Sequence, residues 1–362
     1  MDALLTDGSS TEKREIAQRK AEHLDILCTD AGVDRRKSYF DTIALKHRAL
    51  PEQDLNAVDT SVVFMGKRLS FPLLISCMTG GDEGRIRMLN RNLATAAETT
   101  GVAMGIGSQR VIFENPKARE SFQLRQYAPS ALLFSNLGAV QLNYGFSVAE
   151  CREALEVLEA DALYLHLNPL QEAVQPEGDT NFSGLAAKIG IVVRELAQPV
   201  VLKEVGSGIA SEDVALALAQ GVRYIDVAGG GGASWSRIEY HRRSDSADDL
   251  GLIFEDWGIP TPTALQMLKP YRKQVTLIAS GGIRSGIDMV KAMILGASLC
   301  GVASPFLKSA MVSADSVIQA ILRLKRQFAT AMFLLGVSRV ETLIGNETLL
   351  VREDGPKKKA QE

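Results

Sequence analysis

The chain has 362 residues, enough for one large domain or two to three ordinary ones. Its 40 basic and 43 acidic side chains leave a net charge of −3, which excludes the basic excess expected of a general nucleic-acid or anionic-membrane binder. No apolar run approaches the roughly 18 residues of a membrane span, and the N-terminal MDALLTDGSSTEKREIAQRK lacks the apolar core of a secretory signal. Residues 1–12 read as a disordered tail and 13–70 as an extension of helix and short strand that contributes to the active site. In that extension Arg19, Lys20 and His23 stand at i, i+1 and i+4, which is first of all the spacing of a solvated basic helix face. From 71 to 340, short β-rich apolar runs alternate with longer amphipathic ones. The runs at 72–77, 102–106, 131–136, 162–167, 199–205, 222–228, 275–280 and 298–303 predict strands. Helices are predicted at 85–100, 116–127, 148–160, 183–197, 211–220, 262–269, 286–296 and 313–335. Residues 341–362 read as a C-terminal tail.

Eight strands alternating with helices over about 260 residues fit an α/β fold of the (β/α)8 TIM-barrel type, with the N-terminal extension added. An open doubly wound sheet is the other candidate, but no early strand–turn–helix carries G-x-G-x-x-G with a placed acid. The four cysteines, Cys28, Cys77, Cys151 and Cys300, are scattered without C-x-x-C spacing, as in a cytoplasmic protein with reduced thiols.

Nearly every predicted strand ends in small or polar residues: Met78-Thr79-Gly80-Gly81, Gly107-Ser108-Gln109-Arg110, Asn136-Leu137-Gly138, Lys203-Glu204-Val205-Gly206 and Gly229 to Gly232. Turn chemistry explains any one of these clusters. Their recurrence at the same end of successive strands marks the catalytic face of a barrel. In the fourth strand, alternation puts Leu163, Leu165 and Leu167 on one face and Tyr164, His166 and Asn168 on the other. Gln171 and Glu172 follow just beyond Pro169, and Glu172 is the candidate Mg2+ ligand, holding the ion through part of its water shell. Lys203 lies inside an apolar strand, where an ammonium needs an anionic partner: a cofactor, or Glu204. Gly281-Gly282-Ile283-Arg284-Ser285-Gly286 after the seventh strand, with Ala303-Ser304 after the eighth, is placed where barrels bind phosphate.

Taken together, RKAEH (19–23), ISCMTGG (75–81), MGIGSQR (104–110), NLGAVQLNYG (136–145), LHLNPLQEAVQPEGD (165–179), KEVGSGI (203–209), DVAGGGGASW (226–235), DWGIPT (256–261) and ASGGIRSG (279–286) resemble the type 2 isopentenyl-diphosphate isomerases. These are FMN-dependent barrels, and the similarity runs through nearly the whole chain. It implies interconversion of isopentenyl and dimethylallyl diphosphates with reduced FMN and Mg2+, with NADPH as reductant. It implies flavin contacts from Met78, Thr79, Gly80, Ser108, Asn136, Lys203 and Ser207. Gly281, Gly282, Arg284, Ala303 and Ser304 would surround the flavin phosphate. Arg19, Lys20, His23, Arg110 and Gln171 would bind substrate. His166, Asn168 and Gln171 would be the catalytic set, His166 and Asn168 chiefly on the diphosphate and Gln171 beside the double bond, with Glu172 on the metal. A homotetramer or homo-octamer is also implied. The chain departs from the family at Cys77, where serine is usual, and at Ala233, where threonine is usual.

Two other functions fit a barrel of this kind. One is an FMN-dependent 2-hydroxy-acid oxidoreductase, which needs a histidine base with arginines after the last strands. Here His241 precedes the seventh strand, followed by Arg242 and Arg243, and the lack of a base-and-clamp pattern beside it counts against this reading. The other is a non-catalytic barrel that binds a phosphorylated ligand.

Overall fold

The computed structural model describes residues 22–27, 29–78, 80–81, 84–242 and 248–351. Helical residues 22–27 (α1) lead through an irregular strap to a hairpin, β1 (Val62–Phe64) and β2 (Lys67–Leu69). Met65 and Gly66 both take positive φ (47° and 78°), the backbone of the tight turn that matches the twist of a two-residue hairpin. The hairpin reaches the N-terminal ends of the barrel strands: Lys67 bonds Asp161 at 2.9 Å and Phe64 packs edge-on against Tyr224.

The barrel strands are β3 (Leu73–Ile75), β4 (Ala103–Gly105), β5 (Leu133–Gly138), β6 (Ala162–Leu167), β7 (Val200–Glu204), β8 (Tyr224–Asp226), β9 (Thr276–Ser280) and β10 (Ala297–Val302). Each overlaps a predicted strand. They pair in parallel in sequence order, and β10 closes on β3 with Cys300 opposite Leu73. The fold is a closed (β/α)8 barrel. The tyrosine of β6 is buried inside it, its hydroxyl reaching Asp226 of β8, while the leucines of β6 line neither of the two cavities described below.

The helical layer contains α2 (Gly84–Thr100), α3 (Val111–Glu114), α4 (Val148–Leu158), α5 (Pro169–Val174), α6 (Leu185–Glu195), α7 (Ser211–Ala219), α8 (Trp235–Arg242) and α9 (Leu250–Ile253). It continues with α10 (Thr261–Met267), α11 (Gly286–Ile294), α12 (Ser304–Val312) and α13 (Ala314–Leu334). Local chemistry sets several starts. Ser147 with Glu150, and Ser285 with Asp288, form capping boxes at α4 and α11, and proline opens α5 and α12. The predicted helix at 116–127 is instead a 3-10 stretch over Pro116–Phe122. At the other end, Leu343 is fully buried and Leu350 bridges Leu45, so residues 341–351 are part of the packed body rather than of a tail. The tail expected at 1–12 lies outside the described residues.

Gly286, the first residue of α11, lies where a Cβ would come within 2.3 Å of the Phe328 backbone nitrogen and 2.6 Å of the Leu324 carbonyl of α13. Neither backbone atom can swing aside. Gly286→Ala is therefore expected to destabilise the fold by about 1–3 kcal/mol, read as a lowered denaturant midpoint with an unchanged slope.

Candidate functional site

Two cavities open side by side at the C-terminal ends of the strands, of about 830 and 1040 Å³. Cys77, Met78, Lys203, Val205 and Trp235 line both, so the two adjoin across a shared wall. Strands β3 and β7 and helix α8 thus supply the dividing ridge.

The larger cavity runs from that ridge to a cup of Gly229, Gly232, Gly281, Gly282, Arg284, Gly301, Ala303 and Ser304. A Cβ on Gly281 would stand 2.1 Å from the Gly229 carbonyl, and Gly281 has φ +95°, so both space and backbone conformation demand glycine. Bare backbone amides together with the start of α12 make a cradle suited to an anionic group. The Arg284 guanidinium contacts Asp34 of the N-terminal strap and donates to the Gly231 carbonyl at 2.9 Å. The strap is laid along the cup by Arg35 and Val33, which bond the backbone of Gly232 and Ser234.

The smaller cavity gathers His23, Ser108, Arg110, Asn136, His166, Asn168, Gln171, Glu172 and Lys203, all expected site residues. His166 Nδ1 lies 2.8 Å from Asn136 Oδ1. Asn168 donates to Glu172 Oε1 at 2.7 Å, and the Asp179 amide donates to Glu172 Oε2 at 2.7 Å. Asp179 in turn pairs with Arg110 at 2.8 Å and accepts from Gln141 at 2.9 Å. Asn168 Oδ1 is buried with no hydrogen-bond partner among the described residues, as an acceptor kept for a ligand would be. No cluster of three or more His, Cys, Asp or Glu side chains suited to a metal occurs among the described residues. A lone carboxylate beside an unpartnered amide oxygen suits a magnesium ion that takes its other ligands from water and phosphate.

Glu239 of α8 is the residue that ties the site to the N-terminal segment. It is wholly buried and accepts from Gln171 at 2.7 Å, lies 3.0 Å from His23 Nε2, and pairs with Arg242 at 2.5 Å. Burial pushes its pKa up, but the His23 bond and the charges of His23 and Arg242 outweigh burial and hold it at about 2. Trp235, one helical turn earlier, packs edge-on to the His23 ring at 5.3 Å. Glu239, Gln141, Gln175 and Asp179 were missed as site residues, although the motifs at 136–145, 165–179 and 226–235 contain three of these and Trp235. No helix was predicted at 235–242, where a polar stretch without apolar period follows four glycines.

Several expectations change. Arg19, Lys20 and Thr79 lie outside the described residues. Ser207 lines neither cavity but a small recess with Arg35 and Glu204, which adjoins them at Gln171, Val205, Gly206 and Trp235. Glu204 is not the partner of Lys203; its carboxylate accepts the amides of Val205, Gly206, Ser207 and Gly208, while Lys203 faces Asp226. Cys77 does reach the cavity, but burial pushes its thiol up to about 11, which leaves it protonated and a poor nucleophile. His241 is turned outward onto Asp30 at 2.7 Å, and Arg242 is held by Glu22, Glu177 and Glu239. Neither lines the cavities, and Arg243 lies outside the described residues.

Residues 168–351 match the family model of FMN-dependent dehydrogenases. The chain is 54% identical over 346 residues to an isopentenyl-diphosphate delta-isomerase of Paracoccus zeaxanthinifaciens, covering 94% of this chain and 99% of that one. It is 52% identical over 337 residues to the same enzyme of Hydrogenovibrio crunogenus, covering 93% and 98%. Among solved structures, the flavin-binding domain of baker's yeast flavocytochrome b2 superposes with a TM-score of 0.65 at 19% identity, covering 89% of this chain and 79% of that one. That last likeness concerns the barrel fold alone.

Proposed function

The chain belongs to the isopentenyl-diphosphate delta-isomerase family, and from that premise we propose that its adjoining cavities hold reduced FMN and a magnesium-bound diphosphate side by side while a double bond moves within the substrate. The reaction is the interconversion of isopentenyl and dimethylallyl diphosphates, on an FMN-type barrel. The observation that carries the proposed arrangement is the ridge of Met78, Lys203, Val205 and Trp235, with a glycine cup on one side and Glu172 and Arg110 on the other.

The glycine cup would take the FMN phosphate, and Lys203, Asn136 and Ser108 would face its ring and ribityl chain. Bound reduced FMN supplies an electron-rich ring beside the alkene, able to exchange a proton and to stabilise a developing tertiary cation. Glu172 would hold Mg2+ against the diphosphate, and Arg110 would add a cation on the same side. Arg19 and Lys20 would complete that set of charges. His166 and Asn168, fixed through Asn136 and Glu172, would orient the diphosphate end. The Gln171 amide, held by Glu239, would orient the isoprenoid end; as an amide it positions a proton rather than supplying one. Trp235, Met78 and Val205 would keep water from the cation. NADPH as the reductant, a cytoplasmic location and a homotetramer or homo-octamer belong to the same reading.

An omission series tests it. Purified protein with FMN, Mg2+ and dithionite is expected to turn over isopentenyl diphosphate, and withholding the reductant or chelating the metal is expected to stop it. Undiminished turnover with oxidised flavin, or with chelator in excess, would refute the arrangement.

A further inference from the structure

Lys203 is not an isolated cation waiting for a cofactor. It stands directly opposite Asp226 in the β7–β8 register, both side chains pointing into the barrel. Its Nζ lies 3.4 Å from Asp226 Oδ2 and donates to Ser280 Oγ at 3.2 Å. Ser280 Oγ donates to Asp226 Oδ1 at 2.5 Å, and the Tyr164 hydroxyl donates to Oδ2 at 3.2 Å. Asp226 has no solvent exposure and Lys203 almost none. The other titratable groups that face the carboxylate are neutral: burial pushes up the Tyr164 phenol and the thiols of Cys77 and Cys300. Glu204, the next residue of β7, is turned to the loop amides. Asp226 is therefore the counter-charge that sits beneath Lys203 on the side away from the cavity.

Four residues from β6, β7, β8 and β9 form this cluster; Lys203 and Ser280 line the cavity where the ring would lie, while Asp226 and Tyr164 do not. A buried ammonium needs a polar or anionic partner, and here Asp226 and the Ser280 bridge fix where it sits. We propose that Asp226 is a positioning residue for the flavin: with Ser280 it holds the Lys203 side chain in place and aimed at the ring, and thereby sets how strongly the site favours reduced over oxidised FMN. This rests on the reading that FMN occupies the cavity beside Lys203.

The experiment is a double-mutant cycle read by the reduction potential of bound FMN, with its absorbance spectrum, in the FMN-loaded protein. Lys203→Met and Asp226→Asn are each expected to lower the preference for reduced FMN by about tenfold, a shift of about 30 mV to more negative potential for a two-electron couple. The double variant is expected to match Lys203→Met alone, because Asp226 acts only through the lysine. Additive shifts, or Asp226→Asn with an unchanged potential while Lys203→Met moves it, would overturn the proposal and leave the cofactor placement standing. Lys203→Met without any effect would overturn both. If Asp226→Asn does not fold, Ser280→Ala reads the same link: a smaller shift of the same sign supports the proposal, and none in a folded protein overturns it.

Discussion

Glu172→Gln is expected to lower turnover by on the order of 100-fold or more while the protein retains its full complement of FMN. The substitution keeps the shape of the side chain, and its remaining carbonyl oxygen can still accept the Asp179 amide that Glu172 accepts at 2.7 Å. It removes the charge, which no neighbouring metal-binding cluster among the described residues could replace. The glycine cup proposed for the flavin phosphate, built from Gly229, Gly281 and the start of α12, lies in the other cavity and is untouched. The loss should therefore appear in metal dependence, with a raised Mg2+ requirement and partial recovery at high Mg2+. Bound-flavin absorbance checks the other half. Equal losses of FMN and of activity would contradict the metal role.

Glu239→Gln is expected to destabilise the protein by about 3 kcal/mol at neutral pH and to depress activity as well. The wild-type carboxylate is wholly buried and held at about 2, below its ordinary 4.5, by His23, Arg242 and Gln171. A depressed carboxylate contributes stability that is fully present above its unfolded pKa and is lost as the pH falls through the folded value. At about 1.4 kcal/mol per pKa unit, that shift corresponds to roughly 3 kcal/mol. Denaturant unfolding across pH should show the gap between wild type and variant wide at pH 7 and closing between about 4.5 and 2. A gap independent of pH would mean that Glu239 is not ionised in the fold. Activity should suffer because the Gln171 amide loses its charged acceptor and Arg242 is left buried beside a neutral group.

Local pattern was enough for the barrel. Short apolar runs bounded by glycine and polar residues placed all eight strands, and alternation in 162–167 correctly separated Tyr164 and His166 from the leucines. It also brought Glu172 and the Gly281–Gly282 turn to adjoining cavities at the same end of the barrel. What local pattern lacks is the identity of partners that depend on register across strands and on docking from afar. Lys203 and Asp226 are 23 positions apart, and only the β7–β8 register sets them opposite one another. Glu239 meets His23 across 216 positions, and Arg284 meets Asp34 across 250. Helix α8 left no apolar period to detect because one of its faces binds charged side chains of the N-terminal segment rather than the core. The strap that covers the cup is irregular for the same reason: its backbone bonds go to a glycine loop, not to a strand.

The most direct test of the account is to follow isopentenyl diphosphate by proton NMR under anaerobic conditions with the FMN-loaded protein, Mg2+ and dithionite. The account predicts conversion to dimethylallyl diphosphate over many turnovers, with the flavin still reduced and no reducing equivalents consumed. A folded, FMN-loaded protein that leaves the substrate unchanged, or that yields an oxidised or reduced product in step with reductant, would contradict it.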